Sequence, residues 1–182
     1  MYMKRESGFT LIELMFVLAI AAILLSVAVP ALQMFSTNAK QTGAINDFVS
    51  SMHLARNTAI TTNARVTMCA SSNAASCEAV SWDSGWILFR DANSNQTVDG
   101  NDAIIGTGAP SDGLDIVSAE YDNFLMYRPN GRVMGAVVGT NTGDFVVCDR
   151  RGANHSKVVG VGLSGRPKLS KTLSDGSAPT CS

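Results

Sequence analysis

The residues best suited to chemistry in this chain lie in the stretch DANSNQTVDGND, which begins at residue 91. Oxygen-bearing side chains recur there at the positions from which an EF-hand loop supplies Ca²⁺ ligands: Asp91, Asn93, Asn95, Thr97, Asp99 and Asp102. Two features depart from such a loop, because Gln96 replaces its turn glycine and Asp102 is shorter than its bidentate glutamate. Two predictions therefore stay open, a Ca²⁺ site and an Asx-rich hairpin loop.

No other pattern indicates a cofactor or a catalytic site. The sequence contains no nucleophile elbow, P-loop or zinc-protease motif. Its only histidines, His53 and His155, lie at unrelated positions without an obvious carboxylate partner. We predict that the protein is not an enzyme.

Charge is unevenly distributed along the 182 residues, although the formal net charge is only -1. Residues 83–122 contain eight acidic side chains and one basic side chain, Arg90. Residues 148–182 contain two acidic side chains and six basic ones, namely Arg150, Arg151, Lys157, Arg166, Lys168 and Lys171. An anion-binding surface is therefore predicted in the C-terminal region.

Four cysteines are present, and no C-x-x-C motif occurs among them. With two scattered histidines, a structural zinc site is not indicated. An even number of cysteines behind an apolar N-terminal segment favours two disulfides in an oxidising compartment. Sequence does not choose among the three possible pairings, but we favour the local one, Cys69 with Cys77 and Cys148 with Cys181.

The N-terminal segment, residues 9–32, is long and apolar enough to span a bilayer. Lys4 and Arg5 precede it, as for a membrane anchor or a secretory signal, but a small-residue cleavage site after the apolar run is not evident. Neither interpretation explains Glu13, since a carboxylate in the membrane region costs roughly 2.5–3.5 kcal/mol on insertion scales.

The residues GFTLIEL resemble the type III signal of type IV pilins and pseudopilins, with matches at Gly8, Phe9, Thr10, Leu11, Glu13 and Leu14. The resemblance implies that prepilin peptidase cuts between Gly8 and Phe9, and that Phe9 is then N-methylated. It also implies that Glu13 meets an N-terminal amine, of its own chain or of a neighbouring subunit, unless its carboxylate only reaches the headgroups. Pro30 is predicted to kink the helix.

After this segment the pattern predicts an α+β head. Ile45, Phe48, Met52, Ala55 and Ala59 form one apolar helical stripe within residues 36–62. Mostly antiparallel strands follow. The candidate strands are Arg65–Ala70, Trp86–Arg90, Ala103–Gly106, Leu114–Ser118, Phe124–Tyr127, Arg132–Val138, Phe145–Cys148 and Val158–Leu163. We therefore divide the chain into a leader (1–8), a transmembrane and assembly helix (9–35) and a head (36–182), with a loosely ordered tail near Cys181.

Blocks of the head, among them GWILFRDAN, YRPNGR and FVVCDRRG, resemble minor pilins and pseudopilins of the GspH/FimT type. The resemblance implies that four residues of these blocks serve the fold, namely Trp86, Arg128, Gly131 and Arg132. GRPK at 165–168 is similar to the G-R-x-R motif associated with DNA binding in FimT-type minor pilins, with Lys168 in place of an arginine. The alternative for that segment is a solvated edge strand.

The resemblance implies a minor pilin that primes a type IV pilus and lies near its tip. Its partners would be prepilin peptidase, the inner-membrane assembly platform, and other minor and major pilins. Before assembly it would be a single-pass inner-membrane protein with a periplasmic head. Two alternatives remain, a pseudopilin H subunit of a type II secretion system and a DNA-binding minor pilin for natural transformation.

Overall fold

A computed structural model describes residues 8–135 and 141–181. One helix, α1 (Leu11–Thr62), precedes all the strands and continues through Pro30. The chain separates into two compact units, the first ending at Lys40 and the second beginning at Gln41. The kink predicted at Pro30 stays a prediction, and residues 1–7 of the predicted leader lie outside the described residues.

The second unit contains two antiparallel sheets among its described residues. The first sheet has the order β3-β2-β1-β5-β6 and the second has the order β4-β7-β8-β9. The strands are β1 Val66–Ala70, β2 Trp86–Arg90, β3 Ala103–Gly108, β4 Leu114–Val117, β5 Phe124–Tyr127, β6 Val133–Met134, β7 Gly143–Asp149, β8 Lys157–Val161 and β9 Pro167–Ser170. Short 3₁₀ turns occur at Trp82–Ser84 and Ala153–His155.

The core of the second unit forms around Phe48, which is fully buried on α1. Its ring meets Trp86 of the first sheet at a centroid distance of 5.0 Å and Phe145 of the second at 4.9 Å. It also meets Trp82 of the 3₁₀ turn at 5.6 Å. All three contacts are edge-to-face, the arrangement that aromatic quadrupoles favour. One side chain therefore joins the helix to both sheets.

A second layer covers the outer face of each sheet. In the first sheet Ile87 and Phe89 point away from the helix and are buried against Cys69, with Cys77 and Val98 packed over them. In the second sheet Phe145 and Val147 belong to the core, so Val146 and Cys148 occupy the outer face. Both are buried there, and Cys148 is bonded to Cys181 of the C-terminal tail.

Each disulfide therefore fixes one covering segment. Cys69 in β1 pairs with Cys77, and Cys148 in β7 pairs with Cys181, which is the local pairing that the sequence favours. The tail is held a second time, because the backbone N–H and the hydroxyl of Ser174 both donate to Asp144 at 2.7 Å.

The predicted α+β class is confirmed, and the five residues of the predicted helical stripe are all buried. Gln41 joins them, and its amide donates to the backbone carbonyl of His155 at 3.0 Å. The predicted bounds of β2 and β5 are exact, and those of β1, β3, β4, β7 and β8 lie within two residues of the structure. The larger differences are β6, where 136–138 of the predicted strand lie outside the described residues, and β9, which is not among the candidate strands but overlaps the edge strand given as the alternative for 165–168.

Replacing Phe48 tests whether one ring supports the second unit. Phe48→Ala is expected to lower the free energy of unfolding by about 3–5 kcal/mol, since it removes a large buried side chain and leaves a cavity. Phe48→Leu keeps most of the volume and loses only the edge-to-face contacts, so it should cost about 1–2 kcal/mol. Urea unfolding of the detergent-solubilised full chain measures both values through the fluorescence of Trp82 and Trp86. A cost below about 1 kcal/mol for Phe48→Ala would contradict the central role of this ring.

Candidate functional site

The first candidate site is the N-terminal turn of α1, where Gly8 and Phe9 precede the helix. Phe9 is 84% exposed, and nothing lies within 4 Å of a Cβ built on Gly8. The helix starts with a capping box: the N–H of Glu13 donates to the Thr10 hydroxyl at 3.3 Å, and the Thr10 N–H donates to the Glu13 carboxylate at 3.4 Å. The carboxylate of Glu13 therefore lies against the backbone of the residue that follows Phe9.

The side chains that follow this turn are apolar and exposed. The large apolar side chains between Leu11 and Leu32 are each 48% or more exposed. Within the described residues α1 is the one helix long and apolar enough to cross a membrane, with a mean hydropathy of 2.7 in its most apolar window. Such a surface requires lipid or other apolar helices around it.

The second candidate site is the arginine turn, which comprises Arg56, Arg128, Arg132 and Arg166 around two contacting glycines. Gly131 and Gly165 both have positive φ angles, and a Cβ on Gly165 would lie 2.0 Å from the Gly131 carbonyl oxygen. The Arg56 Nε donates to the carbonyls of Gly131 and Ser164, each at 3.2 Å. Gly165, the first residue of GRPK, therefore has a structural role.

Arg132 and Arg166 are the exposed members of the arginine turn. Each directly follows one of the two contacting glycines, and the Arg132 Nε donates to the carbonyl of Leu163 at 3.3 Å. Within the described residues none of the four arginines forms an ion pair with a carboxylate. The turn can therefore offer guanidinium groups to an anion.

The structure does not bring the other C-terminal cations to the arginine turn. Lys168 lies in the middle of β9, opposite Gly160, and Lys171 follows the far end of that strand. At about 3.3 Å per residue, the backbones of Arg166 and Lys171 are separated by roughly 16 Å. Lys157, Arg150 and Arg151 lie at the end of the sheet nearer to Lys171.

Arg151 is already engaged by its own chain. Its Nε donates to both oxygens of Asp149, at 3.0 and 3.1 Å, and the two side chains form an ion pair. The hydrogen bonds from Arg151 lower the pKa of Asp149, and the same contact raises the pKa of Arg151. This arginine is therefore a weaker candidate for binding an external anion than Arg132 or Arg166.

The oxygen-rich loop at 91–102 is held by its own hydrogen bonds. Asp91 is buried and accepts from the Thr67 hydroxyl at 2.8 Å and from the backbone N–H groups of Asn95 and Gln96. Hydrogen bonds from the Asn101 backbone and the Asn93 side chain lower the pKa of Asp99. Among the described residues, no three histidine, cysteine, aspartate or glutamate side chains are placed to hold a metal ion. The Ca²⁺ site stays a prediction.

Two roles in these sites were not predicted, the helix cap formed by Thr10 and the hydrogen bonds donated by Arg56. Thr10 had a signal, because T-x-x-E immediately before an apolar run is the pattern of a capping box. Arg56 had none, since its acceptors are the carbonyls of turns more than seventy residues away. Gly131 is buried and has a positive φ, and Trp86 donates its indole N–H to Ser51 at 2.9 Å, which agrees with the fold role predicted for both.

Comparisons with known proteins agree with this architecture. Residues 44–165 match the family model described as Type II transport protein GspH, and residues 3–29 match the prokaryotic N-terminal methylation motif. No curated protein matches the chain.

Among solved structures, the fold is similar to that of the type IV minor pilin FimU of Pseudomonas aeruginosa strain PAO1. In its P21 crystal form the TM-score is 0.60 at 16% identity, over 81% of this chain and 99% of FimU. In the P65 form the TM-score is 0.57, again at 16% identity, over 78% and 99%. With its N-terminal methylation motif and a head that matches the family model over 44–165, the chain belongs to the GspH family of type IV pilin-like proteins.

Proposed function

We propose that this protein is a minor pilin that primes the assembly of a type IV pilus and lies near its tip. The observation that carries the proposal is the N-terminal unit, an exposed apolar helix whose first turn holds Glu13 beside the cleavage position. Before assembly the helix would cross the inner membrane once, with the head in the periplasm. During assembly it would leave the lipid and pack against the helices of other pilins.

The observation that favours a minor pilin over its main alternative is the fold of the head. FimU, whose fold this chain shares, is a type IV minor pilin. The description of the matching family model names a type II transport protein. This description supports the alternative, a pseudopilin H subunit of a type II secretion system. Neighbouring genes separate the two: a secretin with secreted hydrolases indicates secretion, whereas pilus adhesins and a retraction motor indicate a pilus.

Processing by prepilin peptidase requires the junction between Gly8 and Phe9, which no described residue shields. Gly8→Glu is expected to leave the precursor uncut, heavier than the mature chain by the eight-residue leader. Intact-mass measurement of the membrane fraction checks this, and Gly43→Ala, a change within α1 but far from the junction, is the control that should be processed normally. A wild-type chain that begins at a residue other than Phe9 would refute the assigned site.

Glu13 is the residue expected to set the register between helices during assembly. Cleavage creates a cationic amine on Phe9, next to the Thr10 N–H that the Glu13 carboxylate already contacts. Glu13→Ala should insert normally, because the segment becomes more apolar. Its incorporation into pili should fall roughly tenfold or more, since the charge that offsets the amine in an apolar setting is removed.

Glu13→Gln is the matched control for this experiment. Its amide oxygen still accepts from Thr10, so it keeps the cap of the helix and removes only the charge. If charge sets the register, both variants are excluded from purified pili. If Glu13→Gln assembles like the wild type, the carboxylate serves only as a helix cap and the register argument is wrong.

A second candidate function is DNA binding, and the arginine turn favours it. Arg132 and Arg166 are exposed beside two contacting glycines, and neither is paired with a carboxylate among the described residues. No described helix other than α1 is long enough to enter a groove, so the protein would bind phosphates. Acidic residues in 83–122 would oppose such binding wherever they face the duplex.

Full-length protein in detergent should bind duplex weakly, with a dissociation constant of about 10⁻⁴–10⁻⁶ M near physiological salt and no sequence preference. Arg132→Ala/Arg166→Ala should weaken binding and reduce the slope of log affinity against log salt by about 2, one unit for each phosphate that is no longer neutralised. Lys157→Ala/Lys171→Ala removes the same charge from the other end of the sheet and serves as control. An equal weakening in both double variants would show that only net charge matters, not the arginine turn.

A further inference from the structure

The edge strands of the two sheets differ in how they are protected. A β-sheet edge carries unpaired N–H and C=O groups, and proteins usually shield it with a charge, a proline or a covering segment. In the second sheet, β9 carries Pro167 and Lys168, and the Ile116 N–H of β4 donates to Asp83 at 3.3 Å. In the first sheet, β6 comprises only two residues in the structure. The remaining edge is β3.

β3 lacks these protections. Its sequence is AIIGTG, with no charged residue and no proline, and Ala103, Ile104 and Thr107 are exposed. It pairs with β2 on one side and has no backbone hydrogen bond on the other side within the described part of the chain. A β-bulge opposite Leu88 and Phe89 interrupts the strand and is itself a feature that discourages edge pairing, but Gly106, Thr107 and Gly108 keep regular pairing with β2 on one side of it. Because alternate residues of an antiparallel strand direct their N–H and C=O groups outward, this edge offers a ladder to an extended peptide.

A cavity of about 260 Å³ lies beside the end of this edge. It is lined on α1 by Asp47, Ser50, Ser51 and Leu54, and on the sheet side by Trp86 and residues 107–109. Asp47 is exposed and has no ion-pair partner among the described residues. Leu54 is exposed and supplies apolar surface, so the cavity suits a long side chain with an apolar stem and a cationic end.

Two glycines of β3 make room for the side chains of Trp86 and Leu54. A Cβ on Gly108 would lie 1.9 Å from the Trp86 ring, so the ring occupies the space that a side chain would take. A Cβ on Gly106 would lie 3.3 Å from a Leu54 methyl group. Trp86 and Leu54 therefore fill the helix-facing side of β3 at these two positions, and the outer edge of the strand presents its main-chain groups.

We propose that β3 is the docking edge for an extended segment of a neighbouring pilin subunit. The segment pairs with β3 through main-chain hydrogen bonds and places a lysine or arginine side chain in the cavity beside Asp47. The proposal rests on the proposed function for the existence of that neighbour. Charge complementarity selects the chemistry of that side chain: Asp47 is the charged residue among those that line the cavity, and Arg90 lies opposite Ala103 at the other end of β3, so a cation is favoured at the cavity.

Photocrosslinking in cells that assemble pili tests this directly. With p-benzoylphenylalanine in place of Ala103, the full-length chain should form an adduct with another pilin, mapped by mass spectrometry to an extended segment that contains lysine or arginine. Adding Thr107→Lys should reduce the adduct roughly tenfold, because a charge on the edge must be buried when a strand pairs. Thr107→Val, neutral and of similar size, should leave it within about twofold of the parent level.

Asp47→Asn tests the contribution of the cavity to docking separately from that of the strand edge. It keeps the shape of the side chain and removes its charge, so the adduct should fall by roughly three- to tenfold, as for an unpaired cation at an interface. The Thr107→Lys and Asp47→Asn chains should both retain the two disulfides, which shows that the head is folded. Peptide mapping without reduction checks this.

Several outcomes would overturn the proposal: an adduct to a second copy of this chain, an adduct to a helix, or equal adducts in the Thr107→Lys and Thr107→Val chains. An adduct that depends on Thr107 but not on Asp47 would overturn the part of the proposal that places a lysine or arginine side chain beside Asp47. Failure of the proposed function is distinguishable from failure of docking alone, because the wild-type chain would then be missing from purified pili. The docking proposal would fail as well in that case.

Discussion

The fold of the head depends on one aromatic contact, the insertion of Phe48 between two sheets. Because its ring meets Trp86 of one sheet and Phe145 of the other, it fixes the rotation of the helix relative to both. A shift of one residue would turn the helix by about 100° and direct Asp47 toward the core instead. The cost of burying an unpaired carboxylate excludes that register. The rotation of the helix that the structure shows leaves Asp47 and Leu54 at the surface beside β3.

Much of this fold was predictable because its signals are local. A 3.6-residue period predicts the buried stripe of α1, and β-branched and aromatic runs predict most of the strands. β9 was anticipated only as the edge-strand alternative for GRPK, because Pro167 and Lys168 oppose strand formation locally, and it exists through pairing with β8. Pairing partners distant in sequence leave no mark on a four-residue segment, so tertiary contacts decide its conformation.

The candidate sites were predictable to different degrees for the same reason. Glu13 stands out because a lone carboxylate in an apolar run has a high energetic cost, and its cap with Thr10 has a four-residue signature. The cations of the C-terminal region form a group in sequence but not in space, since β9 separates Arg166 from Lys171 by its own length. Arg132 joins Arg166 only through the contact of two glycine turns, which charge counting does not detect.

The disulfides tie the maturation of the head to its location. Neither bond lies between the helix and the sheets; each fastens an outer covering segment to a strand whose inner face is already packed. In a reducing compartment the aromatic core would be present while Cys77 and Cys181 stayed unattached. Oxidation would then act as a final locking step, and surfaces formed by the tail or by residues 71–81 would become permanent only in an oxidising compartment.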